Sequence, residues 1–152
     1  MTVNLEVLNF PLFINGQWVP SLTGETFDVK NPATGEVVAK VAKGNEADVN
    51  AAVQAAKVAF ENENWAYMKP KDRAQILNTI AHLITQNAEE LAYLEVISSG
   101  ATVRRVSSND ILQMADLFQT MAKFVVEYPF SETLPVPPFP GPAHNFVWRE
   151  PI

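Results

Sequence analysis

The sequence contains no cysteine. That one absence excludes disulfides, thiolate metal sites and a cysteine nucleophile. Glycine is sparse as well: the six stand at positions 16, 24, 35, 44, 100 and 141, too far apart for a glycine-rich phosphate loop or a Gly-x-Ser-x-Gly nucleophile turn. The only histidines, His82 and His144, are too distant in sequence to form a metal-binding pair on one helix. Basic residues are outnumbered, 11 against 17 acidic, for a net charge of −6. A field of that sign repels phosphate backbones and anionic headgroups, so nucleic acid is not an expected partner. No stretch approaches the roughly 20 apolar residues that cross a bilayer, and Met1–Pro11 lacks the basic start and apolar run of a secretion signal. The expectation is a cytoplasmic protein with no membrane partner.

What remains is globular in composition. Of 152 residues, 47% are apolar and 18% charged, whereas a disordered chain carries fewer apolar side chains and more charge. One domain of about 150 residues hides roughly 70% of its unfolded surface.

Residues 12–43 predict two β-hairpins. Leu12-Phe13-Ile14 and Trp18-Val19 flank Asn15-Gly16, the pair most easily bent into a two-residue turn. Phe27–Lys30 alternates apolar and polar, Asn31–Gly35 supplies turn residues, and Val37–Val41 resumes the extended pattern. Residues 45–128 predict three to four helices. The first is capped by Asn45, with Asp48 near its positive end, and runs to about Glu61; Val49, Ala52, Val53, Ala56 and Phe60 form one apolar face for packing against a neighbour. Pro70 suits the first position of the second, after the poor cap Lys69, with Leu77, Ile80, Leu83 and Ile84 as its buried face. Asn87 followed by Glu90 resembles a capping box for the third, which Gly100 ends. The longest runs from about Val103 to Tyr128, with Ile111, Met114, Ala115, Phe118, Met121, Ala122 and Val125 on one side and Pro129 as its stop. Seven of the eleven prolines fall between 129 and 151, so 129–152 predicts an extended arm, with a short strand at His144–Arg149.

The chain offers little catalytic vocabulary. Glu61 with Glu63, and Glu89 with Glu90, are close in sequence, but exposed acids near helix ends are ordinarily solvated. His82 in a helical pattern reads as a boundary residue and His144 as an exposed one. Arg104-Arg105 reads as surface charge beside a helix start. Met114, Phe118 and Met121 suit an adaptable apolar pocket, although core packing accounts for them as well. The residues themselves therefore nominate no catalytic, cofactor-binding or metal-binding side chain.

The order of the segments carries more. Phe13-Ile14-Asn15-Gly16-Gln17-Trp18-Val19, followed by Phe27-Asp28-Val29-Lys30-Asn31-Pro32-Ala33-Thr34-Gly35-Glu36-Val37-Val38, resembles the opening of the aldehyde dehydrogenase superfamily. The resemblance continues through Ala47-Asp48-Val49, Ala51-Ala52-Val53, Ala55-Ala56 and Ala59-Phe60 to Trp65, Arg73 and Leu77. Glu89-Glu90-Leu91-Ala92, Glu95 and Gly100 follow in place. Trp148-Arg149-Glu150-Pro151-Ile152 is similar to the segment that leads into the first nucleotide-binding strand. Two departures are local: Gly100-Ala101-Thr102 stands for the family's Gly-Lys-Pro, and Lys69 for the usual Ser or Thr before Pro70.

This resemblance implies an α/β parent fold, of which 1–152 is the N-terminal segment: β-hairpins, helices and a C-terminal extended β arm of the oligomerisation type. It implies an NAD(P)-dependent oxidation of an aldehyde to a carboxylic acid. In that chemistry a thiolate attacks the aldehyde, hydride passes from the adduct to the nucleotide, and a glutamate assists thioester hydrolysis. The cysteine, the glutamate base and the glycine-rich cofactor turn of the family lie beyond the matching residues. The chain alone is therefore expected to be inactive and to bind neither NAD nor NADP, its partners being further copies or the missing C-terminal portion. By the same resemblance the helix from about Val103 borders the substrate tunnel, with Ile111, Met114, Ala115 and Phe118 as the lining candidates. The alternative is a non-catalytic module that self-associates or binds a partner; a hydrolase or metal enzyme ranks third.

Overall fold

The computed structural model describes residues 7–135, 141 and 144–149. Asn15 and Gly16 both take left-handed backbone, with φ of 52° and 75°, which reverses the chain in two residues with a twist that suits the flanking strands. The strands are short: β1 (Leu8–Phe10), β2 (Leu12–Ile14) and β3 (Gln17–Val19). β2 and β3 pair antiparallel as expected, with Phe13 opposite Trp18. The second hairpin joins β4 (Thr26–Lys30) to β5 (Val37–Ala42). Its turn is closed by Gly35 N donating to Asn31 O at 2.8 Å and Ala33 N donating to Asn31 Oδ1 at 2.9 Å. β1 carries no sequence signal of its own, yet it pairs parallel with β5 and completes a sheet of order β1-β5-β4.

α1 (Glu46–Glu61) starts on a full capping box: Asn45 Oδ1 accepts from Ala47 N and Asp48 N, and Asp48 Oδ2 accepts from Asn45 N at 3.0 Å. The single-turn α2 (Glu63–Ala66) follows. α3 (Pro70–Gln86) begins on proline with no side-chain cap at Lys69. α4 (Ala88–Ser99) lacks the capping box expected of Asn87. The Asn87 amide instead donates to Leu83 O at 2.8 Å, because with φ −105° and ψ 20° its backbone is not the extended one an N-cap adopts. Asn87 closes α3 rather than opening α4. Gly100, at φ 76°, ends α4 as expected.

The expected long helix is one rod in three pieces: α5 (Val103–Arg105), a π-helical turn at Val106–Asp110, and α6 (Ile111–Glu127). The π turn drives Val106 into the interior, where it is fully buried beside Ala92 and Ile111. Ile84, Ala88, Leu91, Val96, Ala101 and Met114 pack around them. α3 and α6 lie side by side. Their buried alanines are Ala74 and Ala81 on one helix and Ala115 and Ala122 on the other, a two-turn spacing on each that lets the backbones approach closely. This alanine seam changes the buried face expected for α3: Leu77, Ile80 and Ile84 are only partly buried and Leu83 is exposed. Met121, expected on the inner side of α6, is exposed as well.

After Pro129 the chain forms β6 (Ser131–Thr133), which pairs antiparallel with β7 (Phe146–Trp148). β7 lies where a strand was expected; its partner was not foreseen. Residues 136–140, 142–143 and 150–152, which include most of the Pro-rich run and the end of the family-like segment Trp148–Ile152, lie outside the described residues.

Candidate functional site

The four tunnel candidates sit on the inner side of α6. Ile111 and Ala115 are buried and Met114 and Phe118 partly so, with Ile111 and Met114 belonging to the cluster around Val106. A second apolar stripe runs along the same helix. Leu117, Met121, Phe124 and Tyr128 follow at spacings of four, three and four residues, and all are exposed. Because each residue turns the helix by about 100°, this stripe lies one position round from Phe118, Ala122 and Val125. α6 thus has two apolar faces, and the described residues cover one of them. α1 repeats the arrangement. Val49, Val53 and Phe60, expected to pack against a neighbour, are 56%, 61% and 57% exposed, since none of the described elements lies over them.

Among the described residues, the only large side chain that is completely buried is Val106.

The most constrained polar site joins the loop after β3 to α1. Asp48 is 5% exposed and accepts from Asn45 N at 3.0 Å, Ser21 Oγ at 3.0 Å and Leu22 N at 3.2 Å. The Asn45 N–H holds its carboxyl below the usual range, helped by Leu22 N–H and the Ser21 hydroxyl and opposed by desolvation. Ser21 Oγ also lies 2.7 Å from Lys43 O. Sequence reading found the cap but not Ser21, whose role depends on a contact across 27 residues.

At the other end, Arg149 fastens the β6–β7 ribbon to the end of α6. Its guanidinium donates to Pro129 O at 2.7 Å, meets Glu132 at 3.3 Å and lies 5.7 Å from the Tyr128 ring centroid, while its backbone N donates to Phe130 O at 3.0 Å. The Arg73 guanidinium of α3 stands 5.8 Å from the Phe130 ring.

A pyrophosphate is favoured by unoccupied N–H groups at a helix start. Here α1 begins with Asp48 already seated in its own cap, α3 carries Asp72 in its first turn and α4 carries Glu89 and Glu90, whereas α5 starts after Thr102 with no carboxylate and with Arg104 and Arg105. Two open clefts, of about 300 and 240 Å³, are lined chiefly by apolar side chains: Phe10, Pro11 and Pro20 in one, Val29, Val41, Leu94 and Ile97 in the other. No group of three or more metal-ligating side chains occurs among the described residues, and His82 and His144 are both exposed.

Comparison with known proteins places this architecture. The aldehyde dehydrogenase family model matches residues 18–152. The chain is 33% identical over 141 residues to a putative aldehyde dehydrogenase, DhaS, of Bacillus subtilis, covering 93% of this chain and 28% of that protein. It is 51% identical over 89 residues to aldehyde dehydrogenase 1 of Tanacetum cinerariifolium, covering 59% of this chain and 18% of that protein. Among solved structures, an aldehyde dehydrogenase from Bacillus cereus in complex with NAD+ superposes with a TM-score of 0.80 at 35% identity, over 86% of this chain and 26% of that one. An indole-3-acetaldehyde dehydrogenase in its apo form does so with a TM-score of 0.81 at 32% identity, over 89% and 30%. The chain spans less than a third of the length of these relatives. It belongs to the aldehyde dehydrogenase family.

Proposed function

We propose that this chain is the N-terminal scaffold of an NAD(P)-dependent aldehyde dehydrogenase that oxidises an aldehyde to a carboxylic acid, and that it is inactive by itself. The observation that carries the reading is the uncovered second stripe of α6, Leu117, Met121 and Phe124, which a self-sufficient domain would not leave in water. The occupant proposed for it is the remainder of the same fold, which carries the sulfur nucleophile that this chain lacks. Without a thiolate no thiohemiacetal forms. A serine is a much weaker nucleophile unless a base is set against it. NAD or NADP is assigned to the remainder too, since the starts of α1, α3 and α4 already carry carboxylates and no two glycines stand close enough for a glycine-rich phosphate turn. Ile111, Met114, Ala115 and Phe118 serve the substrate tunnel by setting the position of α6.

Two experiments test this. The purified chain, given NAD and an aldehyde, is expected to form no NADH and to melt at the same temperature with or without the nucleotide, because a ligand bound only by the folded form raises apparent stability. NADH formation would refute the inactivity. Co-expression with the complementary segment of a family member is expected to yield a co-purifying, monodisperse complex; failure to associate would refute the docking role.

A second reading is a self-associating module. It is favoured by Phe146 and Trp148, 61% and 64% exposed on a two-stranded ribbon whose outer edges no other described strand pairs. Light scattering separates the two: a discrete soluble oligomer of this chain alone supports the module.

A further inference from the structure

We propose that Asn15 is a site of spontaneous covalent modification, where the side-chain amide is lost through a cyclic imide and the backbone isomerises. The chain has 12 asparagines, and Asn15 is the only one followed by glycine. The reaction needs the next residue's amide nitrogen to reach the asparagine Cγ, and a side chain on that residue obstructs it. At Gly16 there is no side chain, and the space where a Cβ would stand is empty to 4 Å. Asn15 and Gly16 are both exposed, and no hydrogen bond holds the Asn15 amide among the described residues.

Six of the other asparagines are protected by recognisable means. Asn31 precedes proline, which has no N–H to attack with. Asn45 Oδ1 is held by two backbone N–H groups, the Asn87 amide by Leu83 O, and Asn109 Oδ1 by Gln113 at 2.8 Å. Asn50 and Asn78 lie inside α1 and α3, where the following N–H is committed to the helix.

Asn15 also sits where the chain opens cheaply. β2 and β3 form a separate two-stranded sheet of three residue pairs, and such a hairpin is marginal on its own. Its φ of 52° is a left-handed turn conformation, so opening of the turn precedes the reaction. The Gly16 nitrogen then loses its proton to base and bonds to Asn15 Cγ. The Cγ–Nδ2 bond breaks and ammonia leaves. Water next opens the imide at either carbonyl, giving an ordinary aspartyl residue or an isoaspartyl linkage. No oxidant or reductant takes part. Either product adds one negative charge, and the isoaspartyl form inserts a carbon into a two-residue turn whose closing pair is Ile14 and Gln17.

The test is to hold the intact chain in buffers of rising pH, map asparagine-containing peptides by mass spectrometry, and label isoaspartyl carboxyls with a methyltransferase that uses S-adenosylmethionine. Asn15 is expected to convert several-fold faster than any other asparagine, to speed up with pH, and to give both acid products. Asn15→Gln should remove the labelling at this position and lower the melting temperature slightly, because glutamine suits the left-handed turn less well than asparagine. Faster conversion elsewhere, or an aspartyl product with no isoaspartyl partner, would overturn the proposal.

Discussion

The Asp48 carboxylate stands 3.0 Å from the Ser21 hydroxyl, a contact that fixes the loop after β3 to the start of α1 across 27 residues of chain. The hydroxyl has one proton and three oxygens within reach, Lys43 O, Asp48 Oδ2 and Thr23 Oγ1. Ser21→Ala is therefore expected to leave one of them unsatisfied and to cost about 1–3 kcal/mol in a denaturant titration. In a double-mutant cycle with Asp48→Asn the two losses should not add. Additivity would mean that the two groups act separately.

Acid should weaken the same junction. Asp48 titrates below its ordinary value of 3.8 in the folded chain, so near and below that value the unfolded chain binds the proton first. Its contribution is present in full above the unfolded value and disappears as pH falls through the folded one. Denaturation midpoints of the wild type and Asp48→Asn, compared across that range, should differ most at neutral pH and converge in acid. A gap that is constant with pH would contradict this.

Gly100 is a backbone position rather than a flexible one. Its φ is +76°, and a Cβ there would stand 3.2 Å from the Pro32 ring in the β4–β5 turn. Gly100→Ala is expected to lose about 1–2 kcal/mol from the left-handed conformation alone. Pro32→Gly in the same background removes both ring atoms that would stand at 3.2 Å, Cβ and Cγ. If the double variant regains full stability, steric contact was the whole cause.

The covered α3–α6 seam and the open stripe of α6 should respond in opposite ways. Ala81 of α3 is completely buried, so Ala81→Leu is expected to cost about 1–3 kcal/mol by overpacking. Leu117→Asn, on the open stripe, should change the stability of the isolated chain by less than about 0.5 kcal/mol while weakening co-purification with the complementary segment. Loss of stability from Leu117→Asn would place that stripe inside the chain's own core.

Local signals in the sequence are reliable at most positions where the structure depends on neighbours, the capping box expected of Asn87 and Glu90 being the exception. Asn15-Gly16, Asn45 with Asp48, Pro70, Gly100 and Pro129 each fix a turn or a helix end through their own backbone chemistry, and each lies where expected. Positions decided by distant partners were not legible. Leu83 and Met121 share the helical period of the buried residues, yet an alanine seam sets which side of α3 and α6 meets, and both fall outside it. The stripe Val49, Val53 and Phe60 has the pattern of a packing face, but none of the described elements covers it. Nothing local distinguishes Ser21, Val106 or Arg149, whose roles come from a cross-chain hydrogen bond, a π turn and a ribbon latch.

The parallel pairing of β1 with β5 has a practical corollary. The family match begins at Trp18, but β1 and β2 both lie before it. A protein trimmed to that boundary would begin in mid-hairpin, leave Trp18 without Phe13, and strip the outer ladder of hydrogen bonds from β5. The recognisable unit and the folding unit therefore have different edges, and expression vectors should follow the second.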